Sequence, residues 1–326
     1  MNIEMIEAAE ARLKGHARRT PMLSSAFLDE IAGRRVLVKA ECLQHTGSFK
    51  FRGGWSALSA MDPATRARGV IAFSSGNHAQ GVALAAKAHG APAVIIMPSD
   101  APKQKLDNTR ALGAEVVTYA RGTEDRDIIG AKLSAERGLT LIKPFDEPQV
   151  IAGQGTTGLE IAQQAAEMGV TVSDVLVCCG GGGLTGGIAL ALEARAPGLR
   201  ARTVEPQEFD DVARSLASGR IEKNVRLSGS ICDAIITPAP GEITFPIMSR
   251  LCGPGIAVSE DDCLRAMAVA FNYLKVVIEP GGAVALAAAL YYPDAVEGDA
   301  VIAVATGGNV DAAMFARALE QYGDAS

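Results

Sequence analysis

The stretch VCCGGGGLTGG, residues 177–187, joins an apolar strand-like run to a helix-like run. Gly180, Gly181, Gly182 and Gly183 separate the two runs, although glycine costs conformational entropy in strands and helices. Between the end of a strand and the start of a helix, backbone N–H groups can converge on an anion, usually a phosphate. The stretch therefore predicts a phosphate-binding turn. The alternative is a tight strand–helix turn, for which one glycine would suffice.

Other glycine-rich nucleotide motifs fit this turn poorly. No Lys-Ser or Lys-Thr pair follows the glycines, as a P-loop would require. The GxGxxG-like spacing in residues 181–187 lies deep in the chain, whereas a dinucleotide-binding fold has it at the first strand–helix turn.

Short β-branched runs alternate with Ala-rich helical runs on both sides of the glycine turn. This pattern predicts an α/β fold with mostly parallel sheets covered by helices. The strands suit two sheets better than one. We predict a large domain formed by residues 1–58 and 147–326 and a small domain formed by residues 59–146. Three predicted limits matter below: a helix beginning near Ser48, a strand over residues 139–145, and a helix beginning at Gln154.

The composition is that of a globular protein: 326 residues, 48% hydrophobic and 21% charged. A net charge of −6 and a pI of about 5.4 argue against nucleic acid or an anionic membrane as the main partner. No apolar run approaches the roughly 20 residues that span a bilayer. The six cysteines form no CxxC pair and no zinc-ligand cluster with histidine. We expect free thiols and a soluble, cytoplasmic protein.

Lys50 lies in HTGSFKFRGG, residues 45–54, among three glycines and two phenylalanines. Such a small, apolar setting favours the neutral, nucleophilic form of an amine. Another turn, FSSGNHAQG, places Ser74, Ser75, Asn77 and His78 at a helix start, where they could form a carboxylate cradle. The alternative is simple capping by Ser75 or Asn77. A reactive lysine, a phosphate turn and a carboxylate cradle together predict pyridoxal phosphate (PLP) as cofactor.

Four motifs occur in an order that resembles one family of enzymes. TGSFKFRG, SSGNHAQG, GGGGL and TGGN follow one another as in fold-type II PLP-dependent enzymes, and most resemble the serine/threonine dehydratase and serine racemase family. IKPFDEPQVIAGQGTTGLEI and VIEPGGAVALAAAL add to the resemblance, which covers nearly the whole chain. It implies two parallel-sheet α/β domains with the cofactor between them, and a homodimer.

The resemblance also implies roles for individual residues. Lys50 is similar to the lysine that binds the cofactor covalently, and Ser75 to the acid/base opposite that lysine in racemases. The implied cofactor contacts are Phe49, Lys50, Asn77, Gly180, Gly181, Gly182, Gly183, Leu184 and Thr306. The implied contacts of the substrate carboxylate are Ser74, Ser75, Asn77 and His78.

Thr306 would face the pyridine nitrogen, and a neutral hydroxyl stabilises a protonated pyridine less than a carboxylate would. The resemblance thus implies β-elimination rather than transamination. We expect an ammonia-lyase that converts L-threonine or L-serine to a 2-oxo acid and ammonia. Alternatives are a 3-hydroxyaspartate ammonia-lyase, a racemase using Ser75, a β-replacement enzyme, or a non-catalytic sensor of a phosphorylated ligand. Arg126 would bind the second carboxylate of hydroxyaspartate, unless it is an exposed helix arginine paired with Glu124 or Asp127.

VEPQEFDD, residues 204–211, resembles the divalent-cation site of some relatives. Glu205 and Asp211 would supply carboxylates and Phe209 its carbonyl, and such oxygen ligands suit Mg²⁺ or Ca²⁺. The alternative is a solvated acidic helix start. Two other positions differ from the family pattern or vary within it. Ala234 replaces a glycine common beside the ring, and His45 is expected to be a lid or surface residue, with a substrate contact as the alternative.

Overall fold

The computed structural model describes residues 1–74, 76–101, 103–120 and 123–324 and alternates helices with strands along them. The helices are α1 (Ile3–Leu13), α2 (Ala26–Ala32), α3 (Lys50–Ala60), α4 (Pro63–Arg68), α5 (Asn77–Ala88), α6 (Lys103–Ala111), α7 (Arg126–Arg137), α8 (Pro148–Glu167), α9 (Gly183–Arg195), α10 (Asp211–Ser218), α11 (Thr244–Leu251), α12 (Glu260–Val269), α13 (Pro280–Tyr291) and α14 (Ala312–Tyr322). The strands are β1 (Met22–Ser24), β2 (Arg35–Ala40), β3 (Val70–Phe73), β4 (Ala93–Pro98), β5 (Glu115–Tyr119), β6 (Thr140–Leu141), β7 (Ser173–Cys178), β8 (Leu199–Pro206), β9 (Ile256–Val258) and β10 (Ala300–Ala305).

The strands form two sheets. The larger has the order β1-β2-β10-β7-β8-β9, and the smaller has the order β5-β4-β3-β6. All neighbours pair in parallel except β1, which is antiparallel to β2. The strands β7 and β10 are buried along their whole length, as expected for parallel strands covered on both faces. The prediction of an α/β fold with two mostly parallel sheets is therefore confirmed.

Three predicted element limits need correction. The helix predicted near Ser48 begins at Lys50, because Ser48 has extended backbone angles and bridges Gly307. The strand predicted over residues 139–145 is only two residues long, because the chain then turns toward a cavity described below. The helix predicted from Gln154 begins at Pro148, where the carboxylate of Glu147 accepts hydrogen bonds from the first backbone N–H groups.

The ends of β7 and β10 bring two of the glycine turns together. The two strands are adjacent and parallel, so residues 180–183 and 306–309 follow them at the same edge of the sheet. Helices α3 and α5 cross closely, since a Cβ atom at Gly54 would lie 3.0 Å from the carbonyl oxygen of Gly81. This close crossing sets the first residues of the two helices, Lys50 and Asn77, on one side of the fold.

A buried charge network anchors α3. The guanidinium of Arg52, 1% exposed, donates to both carboxylate oxygens of Glu41 at 2.8 Å. It also donates to Glu160 on α8 at 2.7 and 2.9 Å. Lys39 on β2 donates to the same Glu160 carboxylate. The helix that begins with Lys50 is thus fixed to β2 and α8 two residues after the lysine.

The small sheet does not pack apart from the rest of the chain. One apolar cluster contains Trp55 of α3, Val70 of β3 and Ile95 of β4. The predicted domain limits at residues 58/59 and 146/147 therefore stay predictions. None of the helices in the described ranges combines the length and the apolar character of a bilayer-spanning segment.

Candidate active site

A cavity of about 570 Å³ is lined by residues that follow strands of both sheets. It brings together every cofactor and substrate residue that the sequence predicts and the structure describes. Those lining residues are Phe49, Lys50, Ser74, Asn77, His78, Arg126, Gly180, Gly181, Gly182, Gly183, Leu184 and Thr306. Ser75 lies outside the described residues. The roles of all these residues remain predictions, but their convergence on one cavity is a property of the fold.

Lys50 reaches the cavity from the first turn of α3. Its Nζ donates to the carbonyl oxygen of Pro144 at 2.7 Å and lies 5.1 Å from the ring centroid of Phe49. Burial lowers the pKa of the Lys50 amine to about 8, because desolvation disfavours the charged form. The sequence did not indicate Pro144 as the partner of this lysine, since a carbonyl acceptor leaves no mark in the residue type.

The segment before Lys50 is bound to the turn that follows β10. The Phe49 N–H donates to the carbonyl of Thr306 at 3.2 Å, and the Gly308 N–H donates to the carbonyl of Gly47 at 2.9 Å. Ser48 and Gly307 form a bridge between these two bonds. These backbone bonds therefore fix the segment that carries Lys50 against the segment that carries Thr306.

Asn77 belongs to a side-chain network that the sequence did not predict. Its Nδ2 donates to Oε1 of Glu279 at 2.6 Å, and its Oδ1 accepts from Nδ2 of Asn309 at 2.7 Å. Burial raises the pKa of Glu279 to about 7. A Cβ atom at Gly307 would lie 2.2 Å from Oε1 of Glu279, so the glycine makes room for the carboxyl group. The network fixes the orientation of the Asn77 amide.

His78 is neutral in this environment. Its Nε2 lies 2.9 Å from the carbonyl oxygen of Ile142, to which the ring N–H donates. Burial and the nearby charge of Lys50 lower the pKa of His78 to about 3. The imidazole therefore brings no positive charge to a substrate carboxylate, and the predicted contact would come from its backbone N–H at the start of α5.

The glycine turn has a packing role as well as the predicted binding role. Gly182 has a φ of +88°, which glycine adopts without strain. A Cβ atom at Gly181 would lie 2.2 Å from the Phe145 ring, and one at Gly182 would lie 2.4 Å from Met248. The assumption that a tight turn here needs one glycine is therefore wrong. The phosphate prediction depends on the backbone N–H groups that open α9, which have no partner within the helix.

The predicted cation ligands lie together at the end of β8 and the start of α10. Glu205 accepts from the N–H groups of Val212 and Ala213 at 2.9 and 2.7 Å. Oδ1 of Asp211 accepts from Asn224, whereas its buried Oδ2 has no hydrogen-bond partner. Glu205 and Asp211 are both 0% exposed, so the alternative of a solvated acidic helix start is wrong.

Burial dominates the electrostatics of these two carboxyl groups. Burial, and then the neighbouring Asp211, raise the pKa of Glu205, and burial raises the pKa of Asp211 to about 7. Phe209, which lies between Glu205 and Asp211 in the sequence, is also buried, with 2% of its surface exposed. Within the described residues there is no group of three or more His, Cys, Asp or Glu side chains that could hold a metal ion. A cation here would depend on two carboxylates and a backbone carbonyl, as the sequence predicts.

Of the other residues that the sequence analysis names, some line the cavity and one does not. Ala234 and Arg126 line the cavity. His45 packs its ring edge against Phe51 at 4.9 Å between centroids, away from the cavity lining. The structure adds lining residues that the sequence did not single out for a role in the site: Lys105, Pro144, Phe145, Gln154, Cys178 and Glu279.

Comparison with known proteins identifies the family. Residues 13–307 match the family described as pyridoxal-phosphate dependent enzyme, and the chain belongs to it. A Pseudomonas sp protein named L-threo-3-hydroxyaspartate ammonia-lyase is 43% identical over 317 residues, which are 97% of this chain and 98% of that protein. A serine racemase of Arabidopsis thaliana is 37% identical over 315 residues, 95% of this chain and 93% of that protein.

Solved structures agree with this assignment. The threonine deaminase of T.th. superposes with a TM-score of 0.90 at 42% identity, covering 95% of this chain and 99% of that chain. The predictions of a fold-type II architecture and of pyridoxal phosphate as cofactor are confirmed at the level of the family. A non-catalytic sensor is correspondingly the weaker interpretation of the cavity.

Proposed function

We propose that this protein is a carbon–nitrogen lyase that uses PLP to release ammonia from β-hydroxy-α-amino acids. The observation that carries the proposal is the position of Lys50, whose partly buried amine faces a cavity also lined by the glycine turn and Thr306. A pKa of about 8 gives this amine a far larger neutral fraction near physiological pH than an ordinary lysine has, although the charged form still predominates. The named relatives, two ammonia-lyases or deaminases and one racemase, support the same chemistry.

The cavity residues fit the cofactor. Backbone N–H groups of residues 183–185 at the start of α9 would receive its phosphate. The Asn77 amide, oriented by Glu279, would meet its phenolic oxygen. When bound, PLP supplies an aldehyde that joins to amines and a ring that withdraws electrons from Cα of the amino acid.

The chain's own part in the reaction is to hold the substrate and to move a proton. The neutral amine of Lys50 would accept the α-proton, and the Pro144 carbonyl would then accept a hydrogen bond from the resulting ammonium. Ser74 and the backbone N–H groups at the start of α5 would bind the substrate carboxylate. An uncharged Thr306 beside the ring nitrogen would leave the ring a weak electron sink, which would favour loss of the β-hydroxyl group.

L-Threonine and L-serine are the simplest substrates of this class, and the cavity lining favours 3-hydroxyaspartate as a second candidate. Arg126 of α7 and Lys105 of α6 bring two cationic side chains to the lining. An arginine that binds a second carboxylate strongly prefers a dicarboxylic substrate. The Pseudomonas relative is named for this substrate.

A substrate panel tests the proposal. The PLP-loaded protein is incubated with L-threonine, L-serine and the diastereomers of 3-hydroxyaspartate, and ammonia and 2-oxo acid are measured together. We expect equal amounts of the two products. Arg126→Leu should raise KM for hydroxyaspartate at least tenfold and leave KM for serine nearly unchanged, whereas Arg137→Leu, at the other end of α7, is the matched control. Absence of both products with every substrate would refute the lyase assignment.

Racemisation remains a separate proposal because it depends on Ser75, outside the described residues. Ser75→Ala should suppress racemisation of serine much more than ammonia release. Equal loss of the two activities would assign Ser75 to substrate binding alone.

We also propose a divalent cation, Mg²⁺ or Ca²⁺, held by Glu205, Asp211 and the carbonyl of Phe209. The support is the buried, unpartnered Oδ2 of Asp211 beside a second buried carboxyl group. A cation would neutralise both carboxylates, and the unpartnered Oδ2 of Asp211 would coordinate it.

A homodimer in the cytoplasm is the last part of the proposal. Phe27, 58% exposed, stacks on Tyr273, and Phe271, 41% exposed, meets Phe315 edge to face. These rings offer apolar surface that a second copy could cover. All six cysteines in the described ranges are free thiols, as is usual in a reducing compartment. Light scattering of the wild type and of Phe271→Glu tests the dimer, and a monomeric wild type would refute it.

A further inference from the structure

Gln154 is a buried glutamine in the wall of the cavity whose role the sequence did not predict. It lies in the second turn of α8, is 1% exposed and lines the cavity. Its Nε2 lies 3.5 Å from the carbonyl oxygen of Pro144, the same oxygen that accepts from Nζ of Lys50 at 2.7 Å. Two side-chain donors from different helices therefore share one main-chain acceptor.

The orientation of the Gln154 amide follows from this acceptor. Reversing the amide would set its Oε1 against the Pro144 carbonyl, and two oxygens without a hydrogen between them repel each other. In the observed orientation Oε1 is buried and has no hydrogen-bond partner. A buried amide oxygen without a partner lowers stability. The stability of the cofactor-free fold therefore does not explain why a glutamine occupies this position.

The Pro144 carbonyl belongs to a segment that connects the lysine to the glycine turn. The next residue, Phe145, packs directly on that turn. A Cβ atom at Gly181 would lie 2.2 Å from the Phe145 ring, and one at Gly183 would lie 3.0 Å from the Phe145 Cα. A shift of the peptide between Pro144 and Phe145 would therefore reach the turn that is expected to receive the phosphate.

Cofactor attachment removes Lys50 as a donor to this carbonyl. When the neutral amine joins the aldehyde of PLP, a C=N bond replaces the C=O bond and one water is released. The two hydrogens of the amine leave with that water. The nitrogen then no longer donates to Pro144, and the carbonyl needs another donor to stay where it is.

We propose that Gln154 is a positioning residue that becomes the donor to the Pro144 carbonyl when Lys50 joins PLP. Their separation of 3.5 Å is at the long limit of a hydrogen bond, and such bonds in active sites often tighten when the ligand binds. The proposal rests on the proposed attachment of PLP to Lys50. It assigns Gln154 no contact with the reacting carbon.

The test compares PLP with pyridoxine 5′-phosphate, which has an alcohol in place of the aldehyde and leaves the lysine free. The full-length chain is freed of cofactor and titrated with each compound. Gln154→Met should bind PLP about fivefold more weakly than the wild type, the size of one buried hydrogen bond. Its affinity for pyridoxine 5′-phosphate should be unchanged. Gln163→Met, at an exposed position of α8, is the control and should bind both compounds like the wild type.

Urea unfolding of the cofactor-free proteins separates this role from a structural one. Gln154→Met should be at least as stable as the wild type, because methionine removes the unpartnered Oε1 and keeps the length of the side chain. A clear loss of stability, with equal weakening of both compounds, would show that Gln154 only shapes the cavity and would overturn the proposal. Unchanged binding of PLP would overturn it too.

A Lys50→Ala background gives a second control. Without the lysine no donor is withdrawn from Pro144, so adding Gln154→Met should leave the affinity for PLP as it is in Lys50→Ala alone. A fivefold effect that persists in this background would contradict the proposal. Wild type that binds PLP no more tightly than pyridoxine 5′-phosphate would overturn it together with the lysine attachment. No amino acid is present, so these results are distinguishable from failure of ammonia release.

A further measurement covers the case in which the methionine variant does not fold. The pair Pro-Phe occurs once in the sequence, at residues 144–145. Labelling proline with ¹³C at the carbonyl and phenylalanine with ¹⁵N therefore gives one NMR signal for this peptide in the wild type. On addition of PLP the carbonyl shift should keep the value of a hydrogen-bonded carbonyl. A change to the value of a free carbonyl would contradict the proposal.

Discussion

At the scale of single residues, Lys50 is defined by what surrounds its amine. Its hydrogen-bond partner is a carbonyl oxygen, and burial alone accounts for the lowered pKa. HTGSFKFRGG predicted a desolvated lysine because the sequence around it is small and apolar. The sequence could not show the acceptor, since Pro144 is 94 residues away and contributes only its main chain.

The pH dependence of cofactor attachment follows from this pKa. Attachment requires the neutral amine, so its rate on the cofactor-free chain should rise about tenfold per pH unit below pH 8 and level off above it. Stopped-flow absorbance from pH 6 to pH 10 measures this rate. A rate that keeps rising to pH 10 would mean that the amine has its ordinary pKa.

Glu279 gives a second prediction at this scale, on stability. Burial raises its folded-state pKa from 4.5 to about 7, so the folded chain binds this proton more tightly than the unfolded chain. The contribution to stability is present below pH 4.5 and is lost as pH rises through 7. Glu279→Gln mimics the protonated form, so its stability relative to the wild type should increase by about 3 kcal/mol over this range. Urea unfolding of both cofactor-free proteins measures it, and a pH-independent difference would contradict it.

At the scale of elements, the helix that carries Lys50 is fixed by Arg52. Arg52→Leu leaves Glu41, 0% exposed, without its main cationic partner. The unfolding free energy should fall by about 3–5 kcal/mol. The control is Arg19→Leu, whose partner Glu167 is 51% exposed, and it should cost less than about 1 kcal/mol.

A double variant separates the charge from the packing. Adding Glu41→Gln to Arg52→Leu removes the unpaired carboxylate and should recover part of the lost stability. No recovery would show that the cost arises from lost packing around α3 rather than from an unpaired charge.

The junction of β8 and α10 carries the cation prediction. Exhaustive chelation should lower the melting temperature, and Mg²⁺ or Ca²⁺ should restore it, because the metal neutralises Glu205 and Asp211. Asp211→Asn should abolish this restoration. Asp210→Asn, which changes a half-buried ion pair with Arg214, should not. Unchanged melting after chelation, with no metal in elemental analysis of the purified protein, would refute the site.

Element types were predictable from sequence to a greater extent than element limits. Alternating runs predicted both sheets, because parallel strands buried on both faces are continuously apolar. The predicted start of α8, Gln154, lies six residues after the observed start at Pro148, although Glu147 and Pro148 carry a capping signal. The contact of Asn77 with Glu279 spans 202 positions in the chain. Single-sequence patterns carry no information at that distance.

At the scale of the whole molecule, the cavity depends on both sheets. Asn77 follows β3 of the small sheet, and the glycine turn and Thr306 follow β7 and β10 of the large one. Motifs at the carboxyl ends of parallel strands could be expected to converge. The helices beside the small sheet add Lys105 and Arg126 to the same lining. The sequence predicted a binding role for Arg126 but gave no sign of one for Lys105.

The measurement that tests the central claim most directly is the identity of the lysine that holds the cofactor. The PLP-loaded protein is reduced with borohydride and digested, and the labelled peptide is identified by mass spectrometry. The label should be on the peptide that contains Lys50, and Lys50→Ala should retain none. Lys105 is a second lysine in the cavity lining and serves as the internal alternative. A label on Lys105 or any other lysine would contradict the account.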